Sequence, residues 1–172
     1  PSASNSKDGV ITPHLAPWLR HFKGIHGVEG KEPHRKIVVL RPGAKTRKLT
    51  NSDELLLALK GWETVVLENM TIREQIKTFA EATHIVAAHG AGLVNLLWCK
   101  PGTKVIEIQD TKMIHKKVYP ILSHHLGLKH ELYLADTVPI KLEDGKKPKG
   151  IKRISDLINF KIDIPDLLKY LD

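Results

Sequence analysis

The sequence has few cysteines, few aromatic residues and no long apolar run, and each shortage excludes a class of protein. Cys99 is the only cysteine among 172 residues, so the chain cannot form an intramolecular disulfide. Its apolar neighbours favour burial as a small hydrophobic side chain over chemical reactivity. No apolar run approaches the roughly 20 residues that a membrane-spanning helix needs. We therefore expect no transmembrane segment in this chain.

The N-terminus also lacks the features of a targeting segment. Its first ten residues, PSASNSKDGV, are small and polar, without the basic start and apolar core of a signal peptide. The chain also does not begin with methionine. The sequence by itself therefore leaves the cellular compartment open.

Aromatic residues make up only 5% of the chain, and no nucleic-acid-binding motif is present. Single-stranded nucleic acid is commonly bound on aromatic platforms, so nucleic acid is not the expected partner. What the sequence does have is a formal net charge of +8 and a pI near 9.5. This charge fits an anionic ligand such as a phosphate, and it fits a solvated basic surface equally well.

Strand and helix patterns alternate along most of the chain. The predicted strands are 36–42, 62–69, 84–88, 103–108 and 129–136, and the predicted helices are 51–60, 71–82, 92–99, 114–127 and 163–172. The predicted helix caps are Asn51 or Ser52, Thr71 with Glu74 in a capping box, and Asp163 or Ile164. This alternation, with strands that are apolar almost throughout, predicts a Rossmann-like parallel α/β sheet with helices on both faces. Residues 36–172 are predicted to form this domain. Residues 1–35 are interpreted as an extension, or as the remnant of a linker to another lobe.

A His-Gly-Ala-Gly turn, His89–Gly92, follows the third predicted strand and begins a short apolar helix. In parallel sheets ligands bind beyond the carboxyl ends of the strands, and glycine lets a phosphate approach the backbone N–H groups closely. His89 and Asn95 would add polar contacts to a phosphate or a sugar. The alternative is an ordinary strand–helix turn that uses glycine for its backbone angles. The third glycine of the dinucleotide-binding fingerprint is absent.

Two further features are predicted to lie near this turn. Arg41, Lys45 and Arg47 follow the first strand, where they would bind a phosphate or form a solvated basic loop. Glu107 lies in a buried strand, where a carboxylate needs a partner. That partner would be a ribose diol, a lysine or an arginine. The histidines at positions 115, 124, 125 and 130 show no zinc-binding spacing, and surface or helix-packing roles are expected for them.

Taken together, these motifs resemble the glycosyltransferase family 61 domain. The resemblance extends from Lys36 to Ala135 and is carried by the basic loop, by His-Gly-Ala-Gly with the following Asn-Leu-Leu, and by Pro-Gly-Thr with Glu107. The resemblance implies an inverting transferase with the two-lobed GT-B fold, of which this chain would be the C-terminal lobe. Such a lobe binds a UDP-sugar donor, and the sugar is passed to a hydroxyl of a glycan or protein.

The resemblance also implies roles for individual residues. Arg41 and Arg47 would contact the nucleotide or its diphosphate, His89–Gly92 would face the diphosphate, and Glu107 would lie near the ribose. His89 is a weak candidate for the general base, which in many such enzymes lies in the other lobe. No permanently bound cofactor and no metal ion are expected, since the Asp-x-Asp motif is absent. An N-terminal lobe or partner chain would supply the acceptor site.

A non-catalytic role is the competing hypothesis. The same fold would then serve as a scaffold or interaction module in a larger assembly. Selective binding of a uridine nucleotide would distinguish the two. The resemblance implies the Golgi or endoplasmic reticulum lumen for a eukaryotic protein and the cytoplasm for a bacterial or viral one.

Overall fold

Five parallel strands form the central sheet, as the alternating pattern predicts. The computed structural model describes residue 21 and residues 32–111, 117–141 and 157–171. The strands of the sheet are β1 (Arg35–Leu40), β2 (Glu63–Val66), β3 (Ala82–Ala88), β4 (Lys104–Gln109) and β5 (Lys129–Leu134). The helices are α1 (Ser52–Ala58), α2 (Ile72–Ala80), α3 (Val118–Leu126) and α4 (Ile164–Leu168). Two 3₁₀ segments, Leu67–Asn69 and Ala91–Trp98, complete the connections.

The order of the strands creates a crevice at one edge of the sheet. The order is β2-β1-β3-β4-β5, and every neighbouring pair is parallel. The chain leaves β1 toward one side of the sheet and leaves β3 toward the other. Loops that diverge in this way open a gap between them, which is where doubly wound sheets bind ligands. The loops that begin at Arg41 and at His89 border this gap.

Apolar side chains cover both faces of the sheet. On one face Phe79 of α2, Leu96 of the second 3₁₀ segment and Leu122 of α3 pack on the strands. On the other face Leu55 of α1 and Leu167 of α4 do so. Burial on both faces explains why the strands are apolar almost throughout and confirms the predicted layers.

Two helix caps that the sequence predicts are present. The Thr71 side chain accepts a hydrogen bond from the backbone N–H of Glu74, whose carboxylate accepts from the Thr71 N–H at 2.7 Å. This is the predicted capping box. Asp163 caps α4, with Pro165 in its first turn. Asn51 stands at the N-cap of α1, but its side chain does not cap the helix.

Several predicted bounds are wrong. The strand predicted at 62–69 ends at Val66 and continues as a 3₁₀ turn. The short helix predicted at 92–99 is present at residues 91–98, as a 3₁₀ helix. The side chain of Asn95 donates to the Gly92 carbonyl at 3.2 Å, and such a local bond competes with the α-helical pattern. Only part of this segment is buried, since Val94 is half exposed.

A short antiparallel pair that the sequence analysis missed packs beside the sheet. It consists of β6 (Asp136–Pro139) and β7 (Ile158–Lys161). The loop after β1 runs along β7: the Arg47 N–H donates to the Ile158 carbonyl at 2.6 Å, and the Thr50 N–H donates to the Phe160 carbonyl at 2.8 Å. This backbone pairing holds the basic loop in place at the edge of the crevice.

Some predictions concern residues outside the part of the chain that the structure describes. Most of the predicted extension 1–35 and the first residues of the helix predicted at 114–127 lie outside the described residues. Within the described part of the chain, no helix combines the length and apolar character needed to cross a membrane.

Candidate functional site

Arg41 lies at the carboxyl end of β1 and reaches across to the glycine turn after β3. A methyl group placed on Gly90 would lie 3.0 Å from Nη1 of Arg41, so this guanidinium rests directly against the glycine. The Nη1 atom is buried and has no hydrogen-bond partner among the residues that the structure describes. A buried cationic donor without a partner is costly, and an anion bound at this point would satisfy it.

Arg47 approaches the same turn from the other end of the basic loop. Its Nη1 lies 3.4 Å from the carbonyl oxygen of His89. The backbone φ of Arg47 is +60°, an uncommon angle for a residue with a side chain. The hydrogen bond to Ile158 of β7 holds this conformation. The fold thus brings both predicted arginines to His89 and Gly90, as the sequence analysis expects.

The other residues predicted for this site are less closely associated with the crevice. Lys45 is exposed on the basic loop, and Ala91 is exposed at the start of the 3₁₀ helix. Gly92 packs against Leu67, whose Cδ1 would lie 2.7 Å from an added methyl group. Asn95 donates to the side chain of Gln75 on α2 at 3.0 Å. Gly92 and Asn95 therefore serve packing between neighbouring segments, and their proposed ligand contacts stay predictions.

Glu107 is fully buried and has two histidine partners. Its Oε1 pairs with Nδ1 of His89, and its Oε2 lies 3.0 Å from Nε2 of His130. The lysine or arginine partner that the sequence analysis considered is replaced here by these two rings. The ribose contact stays a prediction, and this geometry favours a different role, which is to orient His89 from below the crevice.

The surroundings of Glu107 keep it ionised. Burial raises its pKa, but hydrogen bonds from His130, His89 and Gln109 outweigh burial and hold the pKa below its usual value. An ionised carboxylate only accepts hydrogen bonds, so the ring nitrogens facing it carry hydrogens. The Nδ1 atom of His89 is therefore committed to Glu107, and Nε2 is the nitrogen that remains for a ligand.

Tyr119 and Gln109 complete the surroundings of His89. The ring of Tyr119, on α3, meets the His89 ring edge-on with centroids 5.4 Å apart. Burial and the charge of Glu107 raise the pKa of Tyr119, so the phenol keeps its proton at neutral pH. The amide nitrogen of Gln109 lies 3.4 Å from Nδ1 of His89.

Three members of this cluster, Gln109, Tyr119 and Ser123, are not predicted from the sequence, and for His130 the sequence predicts only a surface or helix-packing role. In the structure Ser123 Oγ lies 2.7 Å from Nδ1 of His130, which in turn bonds Glu107. The register of β4 with β5 brings His130 to Glu107, and a single sequence carries no signal for that register.

The described residues include no group of three or more histidine, cysteine, aspartate or glutamate side chains arranged to hold a metal ion.

Comparison with known proteins agrees with the resemblance in the sequence. The family model described as Glycosyltransferase 61 matches residues 1–106. This match includes the first strands, the basic loop and the His-Gly-Ala-Gly turn. It also begins before the predicted domain boundary at residue 36.

Curated relatives point to the same group. A beta-1,2-xylosyltransferase of Oryza sativa subsp. japonica is 28% identical over 127 residues, which are 68% of this chain and 21% of the relative. A protein O-linked-mannose beta-1,4-N-acetylglucosaminyltransferase 2 of Tetraodon nigroviridis is 29% identical over 113 residues, or 63% of this chain and 19% of the relative. A beta-1,2-xylosyltransferase of Arabidopsis thaliana is 25% identical over 114 residues, or 56% and 21%. The chain thus spans about a fifth of the length of these relatives.

Proposed function

Because the chain belongs to glycosyltransferase family 61, we propose that its crevice binds the diphosphate of a UDP-sugar and that the domain takes part in transferring the sugar to a hydroxyl acceptor. The observation that carries this proposal is the buried Nη1 of Arg41 against Gly90, which has no hydrogen-bond partner among the described residues. It lies at the point of the sheet where ligands are expected. A family name alone would not locate the donor within the fold.

The second arginine and the histidine make the crevice suitable for a diphosphate rather than a single phosphate. Arg47 lies at the His89 carbonyl, one residue before the glycine that Arg41 contacts. Two guanidinium groups offer donors to two phosphate groups at once, and Nε2 of His89 adds a donor when it carries a proton. Arginine matches phosphate oxygens through paired N–H groups, which favours this ligand over a neutral sugar alone.

The proposed reaction is an inverting transfer. The acceptor hydroxyl oxygen attacks C1 of the sugar while the bond from C1 to the diphosphate oxygen breaks, and that oxygen keeps the electron pair. The hydroxyl proton passes to a general base on the acceptor side. Cationic donors at the diphosphate stabilise the charge that develops on the leaving group. Arg41, Arg47 and His89 are proposed for this leaving-group role.

The acceptor and the general base are proposed to lie on a lobe or partner chain that faces the crevice. His89 adjoins both arginines, so we place it at the leaving diphosphate and not at the attacking hydroxyl. Attack with inversion comes from the face opposite the leaving group. The names of the relatives suggest xylose and N-acetylglucosamine as the first donor sugars to examine.

The test is calorimetric titration of the protein with UDP, GDP and ADP at moderate salt. We expect selective UDP binding in the micromolar range. Arg41→Ala and His89→Ala should each weaken it roughly 10–100-fold, which corresponds to losing one hydrogen bond to a charged group. Arg73→Ala is the matched control, because Arg73 is exposed on α2 outside the crevice.

Two results would contradict the proposal. One is a well-folded protein that binds none of the three nucleotides, which would favour the scaffold hypothesis. The other is UDP binding that Arg73→Ala weakens as much as Arg41→Ala does. Such binding would follow from overall positive charge and not from a built site.

A further inference from the structure

Four buried side chains form a continuous hydrogen-bonded chain beneath the crevice. Ser123 on α3 contacts His130 on β5 at 2.7 Å, and His130 contacts Glu107 on β4 at 3.0 Å. Glu107 in turn contacts His89 at the end of β3. Ser123 and Glu107 are fully buried, and His89 is only 8% exposed. The chain therefore leads from the interior of the domain to the proposed diphosphate site.

The hydrogens along this chain can be assigned from the chemistry of its members. With Glu107 ionised, Nε2 of His130 and Nδ1 of His89 both donate to it. The Ser123 hydroxyl can donate to Nδ1 of His130, so both nitrogens of a neutral His130 are satisfied. His89 differs, because only its Nδ1 is engaged by Glu107. An additional proton is therefore accommodated at Nε2 of His89.

We propose that Ser123 and His130 are positioning residues that act through Glu107, so that His89 takes up a proton at Nε2 when the donor binds and holds the diphosphate as an imidazolium. This inference rests on the proposed function. The carboxylate fixes Nδ1–H, so a neutral His89 would present a bare Nε2 that repels phosphate oxygens. Only the imidazolium presents an N–H to the diphosphate, and the proton comes from solvent.

The charges around His89 couple this proton to the ligand. Arg41 and Arg47 from the loop after β1 oppose a further positive charge while the crevice is empty. Glu107 from β4 favours that charge. Tyr119 from α3 is neutral, and His130 from β5 reaches His89 only through Glu107. The negative charge of a bound diphosphate offsets the positive charge of the arginines, and this favours the imidazolium form of His89.

The first measurement is the tautomer of His89, by long-range ¹H–¹⁵N correlation of the imidazoles at mildly alkaline pH, with His89→Gln used for assignment. We expect hydrogen on Nδ1 and a bare Nε2. His89 observed with hydrogen on Nε2 would overturn the proposal. This measurement needs no nucleotide, so it tests the hydrogen-bonded chain even if the protein binds no donor and the proposed function fails.

The second measurement is proton uptake, from titration with UDP-N-acetylglucosamine or UDP-xylose near pH 7.5 in two buffers of different ionisation enthalpy. A UDP-sugar lacks the phosphate ionisation near pH 6 that UDP itself has, so the measured proton uptake does not include protons taken up or released by that phosphate. The wild type should take up a fraction of a proton approaching about one per donor bound, and His89→Gln should take up none. Zero uptake in a wild type that binds, or undiminished uptake in His89→Gln, would contradict the inference.

Variants of His130 separate positioning from a purely structural role. His130→Leu removes a donor from Glu107, which makes the carboxylate a stronger base toward His89. His89 should then be protonated before the donor arrives, so proton uptake at the same pH should fall by at least about half. His130→Gln can restore an N–H toward Glu107 and should bring the uptake back toward that of the wild type. Should either variant fold poorly, Ser123→Ala provides a milder test with a smaller change in the same direction. Lower thermal stability with unchanged uptake in His130→Leu would mean that His130 is structural only.

Discussion

Gly90 and Gly92 lie two residues apart and have different neighbours, which sequence alone does not distinguish. Gly90 has an extended backbone with φ of 170°, so it is not needed for an unusual conformation. Gly90 matters because it has no side chain and so leaves room for the Arg41 guanidinium, which rests against it. Gly92 packs against the end of the Leu67 side chain. The sequence predicts a glycine turn for phosphate access, but only the packing shows which glycine faces the arginine.

Alanine substitutions should separate these two roles. Gly90→Ala should push the Arg41 guanidinium aside and weaken UDP binding several-fold, while the free energy of unfolding changes by less than about 0.5 kcal/mol. Gly92→Ala should force Leu67 to move and lower the free energy of unfolding by about 1 kcal/mol, with little effect on UDP binding. Urea unfolding and calorimetric titration of both variants provide the measurements. The reverse pattern would show that Gly92 faces the ligand.

Glu107 illustrates how far a residue can be understood before its neighbours are known. Its burial and its need for a partner followed from its place in an apolar strand. The identity of the partners did not follow, because they come from residues 18 and 23 positions away along the chain. The burial of Cys99 is easier to predict, because it depends only on an apolar local sequence. In the structure Cys99 is fully buried.

At the scale of elements, four adjacent strands carry basic side chains in register near their amino-terminal ends. Lys36 pairs with His84, His84 with Lys104, and Lys104 with Lys129. This row lies at the opposite end of the strands from the crevice. Burial, together with the charges of the three lysines, lowers the pKa of His84 below its usual value of 6.5. Like charges on neighbouring strands destabilise a sheet, so protonation of His84 should be costly.

This cost predicts a loss of stability in acid. The pKa of His84 is lower in the folded than in the unfolded chain, so the unfolded chain binds more protons in the interval between the two values. The contribution of His84 to stability is therefore complete above about pH 6.5, and it is lost as the pH falls through the pKa that His84 has in the folded chain. Urea unfolding of wild type and His84→Gln between pH 7.5 and 5 should show a smaller decline in the variant. His124→Gln, at an exposed histidine of α3, is the control, and equal declines in all three proteins would contradict the prediction.

The predictions of helix ends are confirmed where short-range interactions define them. The capping box at Thr71 and the cap at Asp163 join groups three residues apart, which a local pattern contains in full. The 3₁₀ form of residues 91–98 was missed, because it depends on Asn95 and on the contact between Gly92 and Leu67. The strands β6 and β7 were missed because their partners lie about 20 residues apart in the chain, without a tight turn between them.

At the scale of the whole molecule, the side-chain amide of Asn51 adds two buried hydrogen bonds between the C-terminal segment and the body of the domain. Nδ2 of Asn51 donates to the Ile162 carbonyl at 2.8 Å, and the Ile162 N–H donates to Oδ1 of Asn51 at 3.0 Å. Both residues are buried. This pair of bonds adjoins the pairing of the basic loop with β7, so it also supports the loop that carries Arg47.

Asn51→Ala should therefore destabilise the fold strongly. It leaves a buried N–H and a buried carbonyl of Ile162 without partners, at a cost of roughly 1–3 kcal/mol each. Urea unfolding measures the loss, and amide hydrogen exchange should show faster exchange at Ile162. Thr50→Val is the matched control, since it removes one partly buried hydrogen bond to the neighbouring Phe160, whose carbonyl still accepts from the Thr50 N–H. A loss no larger than that of Thr50→Val would show that Asn51 does not hold this segment.

The sequence by itself determined the layered parallel α/β class, the order of the five main strands along the chain, the caps at Thr71 and Asp163, the burial of Cys99 and the candidate residues of the glycine turn and basic loop. Each of these follows from composition or from patterns a few residues long. Only the tertiary structure decided the spatial order of the strands, the approach of Arg41 to Gly90 and the chain from Ser123 through His130 and Glu107 to His89. Those depend on strand register and on contacts between distant residues, which form only when the apolar faces pack together.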